Sequence, residues 1–562
     1  MKHSKNLLAL VTIFTGISIL ACWLSTYWGI YLGEYEVFFS YGVLHAAIES
    51  SNIVVASSDN FLLYPIYTWL QKLTSYIQMY GVVKMTISYL AIGLVLFSIV
   101  KSKELNRINK FFLSLIFLLL FLESFFFIQN VRIGTLLSIG AFVYLLTFKN
   151  DKIVHKLVFY VLIFLAITNR IQIAVILSLL SVFFVLIYFR TALFRHTFLF
   201  FILSILSYIT FLLLANMDLD HSKNYVNYER DFYDKMNVTV SGSPLDSNIE
   251  RQNIKKYARI LFIEDGEALD SIEYTSLLKH KTLYSYIFKN TDFTRIYISK
   301  ISQAYQELKS RYLPMLFLFV WLLGNLLLFD KQKRIKHLLS LLLFTGLFAF
   351  INLVAVLYAD VIYSFLGFFI FIFILYINQS KVFGKSLLIN TISSLLLLLQ
   401  FSVYSTNLLN ELKLKDLNYH LIENEILEDK EQGVKSIVSY LSYQEIMSPN
   451  IFKSHYILLD QLTFLDFGTL NGIPMFSKER SKLFGKENQS LAHRIDWVIE
   501  NNQGILYSDD FFSAFYPLYL QKVYDVNVNF EPIQAFDGCE IKKYKISYQT
   551  NKNKSPQDVL CN

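Results

Sequence analysis

The positive charge of this chain is concentrated in six short segments that lie at alternate gaps between long apolar stretches. An apolar stretch needs about 18–20 residues to cross a hydrocarbon core of about 30 Å, and loops rich in Lys and Arg stay on the cytoplasmic side. The alternation therefore predicts a polytopic α-helical membrane protein with a cytoplasmic N-terminus. The basic segments are Lys2–Lys5, Lys101–Lys110, Lys149–Lys156, Arg190–His196, Asp330–His337 and Asn378–Lys385.

Eleven apolar stretches qualify as candidate spans, and an odd number of crossings places the C-terminus outside. The predicted fold is thus a bundle of about 11 transmembrane helices, residues 1–405, followed by a small extracytoplasmic α/β domain, residues 406–562. Two long external loops are predicted, over residues 29–79 and 216–311. The spans are predicted near residues 6–28, 80–100, 111–129, 131–148, 157–168, 171–189, 197–215, 312–329, 338–357, 364–377 and 386–405.

The net charge of +7 comes from the topology signal and does not indicate a nucleic-acid partner. The six segments contain 17 of the 51 Lys and Arg residues but only 3 of the 44 acidic residues. The remainder of the chain therefore has 34 basic and 41 acidic residues, a balance of −7. A nucleic-acid-binding protein would instead concentrate basic residues on a folded surface.

Motifs of soluble nucleotide enzymes are absent from the sequence. It contains no Walker A loop, dinucleotide-binding glycine motif, CxxC pair or HExxH motif. The missing nucleotide-binding signature and the low count of 20 Gly argue against an ATP-driven pump. Every predicted cytoplasmic loop is short, which argues against nucleotide-sugar chemistry on that side. We expect no cofactor.

The external regions contain both helical and strand-like patterns. Two stretches of the first loop, residues 37–48 and 60–77, have amphipathic patterns with aromatic faces and are predicted to lie along the membrane interface. The tail begins with an amphipathic segment over 408–441. Strand-like runs follow at 455–459, 504–508 and 539–546, which predicts a small α/β domain.

Two carboxylates follow the first predicted span directly. Glu34 and Glu36 are two residues apart, a spacing at which one can act as a general base and the other can orient or ligate. Two solvated loop acids would give the same pattern. About thirty residues later, Tyr64 precedes Pro65, and the proline predicts the start of an interfacial helix.

This combination resembles the first external loop of the GT-C glycosyltransferases, a superfamily that includes the protein O-mannosyltransferases and the aminoarabinose transferases of lipid A. The loop layout over residues 1–330 resembles the same superfamily. The resemblance implies an inverting transfer from a polyprenyl-phosphate-linked sugar donor on the outer face of the membrane. It implies that Glu36 or Glu34 deprotonates the acceptor and that Tyr64 belongs to the substrate-binding region. The family more often has Asp as the base.

Arg132 lies in the predicted external turn between the third and fourth spans. A cation at the end of a span needs an anionic partner, and a lipid phosphate offers bidentate geometry. Snorkelling of Arg132 to headgroups is the alternative. Many GT-C proteins have a second acidic residue near this turn, which this chain lacks, so we predict that no metal is required.

Five further residues are candidates for the substrate site. Arg170 follows Asn169 in the next external turn, so that Arg132 and Arg170 are predicted on the same face as the acidic pair. Glu123 lies within the third predicted span and can pair with either arginine, whereas Asp360 precedes the tenth span and faces either this cavity or water. The remaining two are basic residues of the second loop, which either bind donor phosphate or form a solvated cluster: Lys279 and Lys281.

The favoured hypothesis is a multi-pass glycosyltransferase of a bacterial inner membrane that acts on cell-surface glycans, lipid-linked saccharides or exported protein. An O-antigen or exopolysaccharide polymerase is the first alternative, because Gln129–Gly134 also resembles the arginine-containing turn of such enzymes. Those enzymes tend to have His where this chain has Asn169-Arg170. A transporter of lipid-linked glycans is the second alternative, against which the spans show no internal symmetry and few charges beyond Glu123.

Overall fold

Most of the described chain is helical. The structure is a computed structural model, and it describes mainly residues 11–20, 31–32, 63–73, 78–148, 153–188, 193–217, 308–354, 359–380, 386–434, 436–438, 462–464, 504–536 and 541–548.

Six helices in this part of the chain are long and apolar enough to cross a membrane, or seven if the bent pair Ala304–Arg311 and Leu313–Phe329 forms one span. The apolar helices indicate a bilayer environment. The eleven predicted spans are not confirmed as a number. Each predicted position does contain helix, but several helices are shorter than a span.

The helices, in chain order, are α1 (Val11–Leu20), α2 (Tyr64–Gln71), α3 (Met79–Lys101), α4 (Arg107–Leu120), α5 (Glu123–Phe126), α6 (Asn130–Thr147), α7 (Ile153–Asn169), α8 (Ile171–Tyr188), α9 (Phe194–Met217), α10 (Leu313–Phe329), α11 (Arg334–Val354), α12 (Ala359–Ser380), α13 (Ser386–Glu431) and α14 (Asp510–Tyr524). The strands are β1 (Tyr31–Leu32), β2 (Phe127–Ile128), β3 (Ser436–Val438), β4 (Leu462–Phe464), β5 (Ile505–Asp509), β6 (Val528–Ala535) and β7 (Ile541–Tyr548).

Helix α12 is the centre of the bundle. Its residues from Phe365 to Ile377 are nearly all buried. The helix carries aromatic and β-branched side chains on every side, and these pack against the neighbouring helices. Phe371 packs on Phe117 of α4, and Phe369 packs on Phe344 of α11 with ring centroids 4.2 Å apart. A helix that is apolar on every side is expected in the interior of a membrane bundle.

The third predicted span, residues 111–129, is not one helix. Helix α4 ends at Leu120, a single turn of helix α5 follows from Glu123, and the chain then extends into strand β2. This short strand pairs in parallel with β1, with Tyr31 opposite Phe127 and Leu32 opposite Ile128. The break puts Glu123 on a single turn of helix, and the chain then passes through β2 into α6 at one end of the bundle.

The predicted boundary at residue 405 lies inside a continuous helix. Helix α13 runs for 46 residues from the last apolar stretch into the polar tail and ends before Gly433, whose φ of +74° is left-handed. The tail beyond it contains a five-stranded mixed sheet in the order β4-β3-β5-β7-β6. Strands β5 and β7 confirm the runs at 504–508 and 539–546, whereas the run at 455–459 lies outside the described residues.

The sheet is attached to α13 by buried polar contacts. Asp429 of the helix accepts hydrogen bonds from the Tyr507 hydroxyl at 2.7 Å and from Lys543 Nζ at 2.6 Å. Glu425, one turn earlier, accepts from Lys543 at 3.1 Å and from Gln534 at 2.7 Å. The pKa of Lys543 is raised, because these hydrogen bonds and charges outweigh the burial that would lower it. The tail helix and the sheet therefore form one unit.

Candidate functional site

Arg132 lies in the first turn of α6, buried at one end of the bundle. The backbone is extended at Gln129 and enters the helix at Asn130, so the arginine follows directly from the β2 strand. Only 3% of its surface is exposed. A buried guanidinium at this position needs negative partners.

Two carboxylates converge on one nitrogen of this arginine. Nη2 of Arg132 lies 2.7 Å from Oε2 of Glu123 and 2.7 Å from Oδ1 of Asp360. The contact with Asp360 has hydrogen-bond geometry. The Glu123 side chain is buried, and the Asp360 side chain is 28% exposed. The structure thus pairs Glu123 with Arg132, one of the two partners that the sequence allowed, and brings Asp360 to the same group.

Aromatic rings form the walls around the guanidinium. Its carbon Cζ lies 5.0 Å from the centroid of Tyr363 and 5.7 Å from that of Phe127. Tyr312 and Tyr404 are also close enough to interact with the charges of Arg132 and its buried carboxylate. Rings at these distances stabilise a cation by cation–π attraction while they exclude water.

Polar atoms without a described hydrogen-bond partner are concentrated here. They include Nε and Nη1 of Arg132, the hydroxyls of Tyr312 and Tyr67, and Oε1 of Gln129, all buried. Buried polar groups in proteins are nearly always satisfied by protein, water or ligand. Hydrogen-bonding capacity at this end therefore exceeds what the described residues use.

A second buried cation, Lys84, lies near the start of α3. Its Nζ donates a hydrogen bond to Oδ1 of Asn169 and lies 5.3 Å and 5.5 Å from the ring centroids of Tyr67 and Tyr80. The two rings meet edge to face. Tyr67 comes from helix α2, which begins at the predicted Tyr64-Pro65 step. An ionisable residue inside an apolar helix is costly and commonly functional.

The two cations belong to one region, because the helix that carries Arg132 contacts the surroundings of Lys84. Asn130 of α6 donates a hydrogen bond to the Tyr80 hydroxyl at 3.3 Å. A Cβ on Gly134 would lie 3.5 Å from Cβ of Arg170, where the chain reverses between α7 and α8. Arg170 is itself 9% exposed. We call this region, defined by Lys84, Arg132, Arg170, Glu123 and Asp360, the Arg132 end.

The acidic pair of the first loop lies just after strand β1 in sequence. Leu32, which pairs with Ile128 in the short parallel ladder, precedes Glu34 by two residues. Four candidates lie outside the described residues: Glu34, Glu36, Lys279 and Lys281. Tyr64 lies in the first turn of α2, as predicted, but its side chain is outside what the structure describes.

The carboxylates of the Arg132 end are directed at a cation of the protein. Glu123 and Asp360 both contact the guanidinium, so neither presents two open oxygens to an ion. Within the described residues, no group of three or more His, Cys, Asp or Glu side chains is placed to hold a metal ion. The two described carboxylates of this region therefore neutralise a cation of the protein.

Sequence reasoning missed Lys84 and the tyrosines around it. The expectation of few charges beyond Glu123 in the spans did not name Lys84, which stands five residues after the start of α3 and is fully buried. A lysine inside an apolar stretch was a visible signal. By contrast, Tyr312 and Tyr363 stood among many other aromatic residues, and only packing distinguishes them.

Comparisons of this chain with models of protein families, with curated proteins and with solved structures found no match. The features of the Arg132 end therefore carry the functional argument alone.

Proposed function

We propose that this protein is an inverting glycosyltransferase of GT-C type that uses a polyprenyl-phosphate-linked sugar on the extracytoplasmic face of a bacterial inner membrane. The observation that supports this most strongly is Arg132, a buried arginine in the first turn of a helix with two guanidinium nitrogens lacking a described partner. A helix N-terminus favours an anion, and a guanidinium adds bidentate donors for phosphate.

The position of the other cations supports the same ligand. Lys84 is buried on α3 and Arg170 is buried between α7 and α8, both near α6, so three cations lie at one end of an apolar bundle. Two carboxylates oppose them among the described residues. A lipid-linked phosphate carries the negative charge that these cations attract and an apolar tail suited to the surrounding bilayer.

The reaction follows from these roles. The acceptor hydroxyl loses its proton to Glu34 or Glu36, and its oxygen bonds to the anomeric carbon of the sugar. The bond between that carbon and the phosphate oxygen breaks, and its electron pair stays on the phosphate. The developing charge on the leaving phosphate is stabilised by Arg132, assisted by Lys84 and Arg170, which is electrostatic catalysis by preorganised groups. Attack opposite the leaving group inverts the anomeric configuration.

The remaining candidates have supporting roles in this proposal. Glu123 neutralises and orients Arg132, and Tyr64 begins the helix that brings Tyr67 to Lys84. Lys279 and Lys281 of the second loop are proposed contacts to the donor. The acceptor is a glycan, lipid or protein of the cell surface, and the C-terminal domain stands on the same side of the membrane. No cofactor is invoked.

The proposal is tested with purified protein in lipid nanodiscs and a panel of polyprenyl-phosphate sugars. Wild-type protein should transfer sugar, and either Glu34→Gln or Glu36→Gln should abolish transfer without loss of donor binding. Full activity in both single variants contradicts the assignment of the base. Elongation of polyprenyl-diphosphate oligosaccharides, with no transfer from the monophosphate donors, would instead identify a polymerase.

A further inference from the structure

One carboxylate of the Arg132 end has no role in the reaction described above. Asp360 is not the proposed base, and Glu123 already supplies a buried counter-charge for Arg132. Asp360 nevertheless occupies Nη2 of the arginine with a hydrogen bond of 2.7 Å. With both carboxylates ionised, this group of three side chains has a charge of −1.

The two carboxylates differ in how readily they can leave the arginine. Glu123 lies on the short helix α5 and its side chain is 7% exposed, so removing it from Arg132 would separate a buried charge from the cation it contacts. Asp360 is 28% exposed and lies in the first turn of α12. There the positive end of the helix dipole favours a carboxylate even after it leaves the guanidinium.

The Asp360 carboxylate and a phosphate would bind Arg132 through the same kind of atom. Both offer an anionic oxygen at about 2.7–2.9 Å from a guanidinium nitrogen. A phosphate that engaged Nε and Nη1, which lack a partner among the described atoms, would approach the same guanidinium whose Nη2 contacts Asp360. Two anions at one cation repel each other, and more strongly where water is excluded.

We propose that Asp360 competes with the ligand phosphate for Arg132 and thereby limits how tightly the phosphate is held. This inference rests on the proposed function, because it takes the ligand to be a phosphate-bearing lipid. The competition is stronger against a phosphate monoester, which has close to two negative charges at neutral pH, than against a diester, which has one. The sugar donor is a diester and the released polyprenyl phosphate is a monoester. Asp360 therefore favours exchange of product for donor.

The test measures binding of polyprenyl monophosphate and of a polyprenyl-phosphate sugar to the full chain in nanodiscs, for wild type and Asp360→Asn. The competing pair is partly exposed, so its loss should tighten monophosphate binding about three- to tenfold. The diester should gain less. Asp360→Glu keeps the charge and should bind as wild type does. Glu428→Gln removes an exposed charge from α13 and controls for the net charge of the protein.

Asp360→Ser provides a second neutral variant if the Asn variant folds poorly, and it should show the same gain. Weaker or unchanged binding in the neutral variants, with normal binding in wild type, would overturn the competition and leave the proposed function standing. Absence of binding to either lipid in wild type and in both neutral variants would overturn the proposed function, and the competition with it. Arg132→Lys separates specific from bulk lipid binding, because it should weaken monophosphate binding in each background.

Discussion

The two ends of the helical bundle both contain buried polar clusters, but among the described residues only one of them satisfies its own hydrogen bonds. At the end opposite Arg132, His337 is fully buried, with its Nδ1 at 2.9 Å from the Tyr188 hydroxyl and its Nε2 at 3.3 Å from Oδ2 of Asp330. Ser340 donates to Tyr188 at 2.9 Å, and Tyr376 reaches Asp330 at 3.5 Å. We call this group the His337 cluster.

The difference indicates separate roles for the two regions. Within the described residues, no buried side-chain atom of the His337 cluster lacks a hydrogen-bond partner, whereas several at the Arg132 end do. A satisfied network holds helices α8, α10, α11 and α12 in register and offers nothing to a ligand. Under our proposal, the Arg132 donors that lack a partner among the described residues are the ones that bind the ligand.

The strongest way to break this comparison is to remove the arginine. Arg132→Met should reduce binding of a polyprenyl-phosphate lipid more than 100-fold, because its spare donors are lost. It should also cost about 3–5 kcal/mol of stability, since the buried Glu123 loses the cation it contacts. The double variant Arg132→Met/Glu123→Gln should recover much of that stability but no binding. Thermal unfolding and lipid binding measured together check both statements. Recovery of binding in the double variant would contradict a ligand role for the arginine.

Lys84 should show a loss of function without a loss of stability. Lys84→Met keeps the length of the side chain and removes a buried charge whose desolvation costs several kcal/mol. We expect sugar transfer to fall at least tenfold, by roughly the value of one charged hydrogen bond to a ligand, with an unchanged or higher melting temperature. A fall in stability that matched the fall in transfer would indicate that Lys84 is structural.

The His337 cluster should behave in the opposite way. His337→Ala leaves Asp330 and Tyr188 without their shared partner, so stability should fall by about 1–3 kcal/mol. Binding of the phosphate lipid, measured at a temperature where the variant is folded, should stay within about twofold of wild type. Tyr188→Phe is the milder control, because it removes one hydroxyl and keeps the ring. A large change in lipid affinity would show that the two ends are coupled.

The smallest expected effect lies in the tail, where the stability contributed by the ion pairs of Lys543 should depend on pH. Because the pKa of Lys543 is raised in the folded protein, its contribution to stability is complete below its ordinary pKa near 10.5 and is lost as pH rises through the folded value. Thermal unfolding at pH 8 and above pH 10.5 should therefore differ more in wild type than in Lys543→Met. Equal pH dependence in the two proteins would show that the contacts of Lys543 with Asp429 and Glu425 add no stability.

Much of the architecture was accessible from the sequence because it depends on local pattern. The apolar stretches, the Tyr64-Pro65 helix start and two of the strands of the tail follow from composition and periodicity, and the structure confirms them as helix or strand. The break after Leu120 was not predicted, because Phe121–Ile128 is as apolar as the helix before it. The continuation of α13 past residue 405 was not predicted, because the change from apolar to polar side chains there was taken as a domain boundary. The backbone hydrogen bonds of a helix do not depend on the polarity of its side chains.

The sequence by itself determined that this chain is built from apolar helices with charge asymmetry between their connecting segments. It also identified four charged residues in or next to apolar stretches: Glu123, Arg132, Arg170 and Asp360. Only the tertiary structure decided their partners. Arg132 and Asp360 are separated by 228 residues, and Lys84 meets Asn169 across 85. Such pairs form because a helix bundle brings distant termini to one end, where low polarity forces each charge to find a partner. Burying a charge is costly, so the charges at this end are paired, and the local sequence pattern does not show which residues pair.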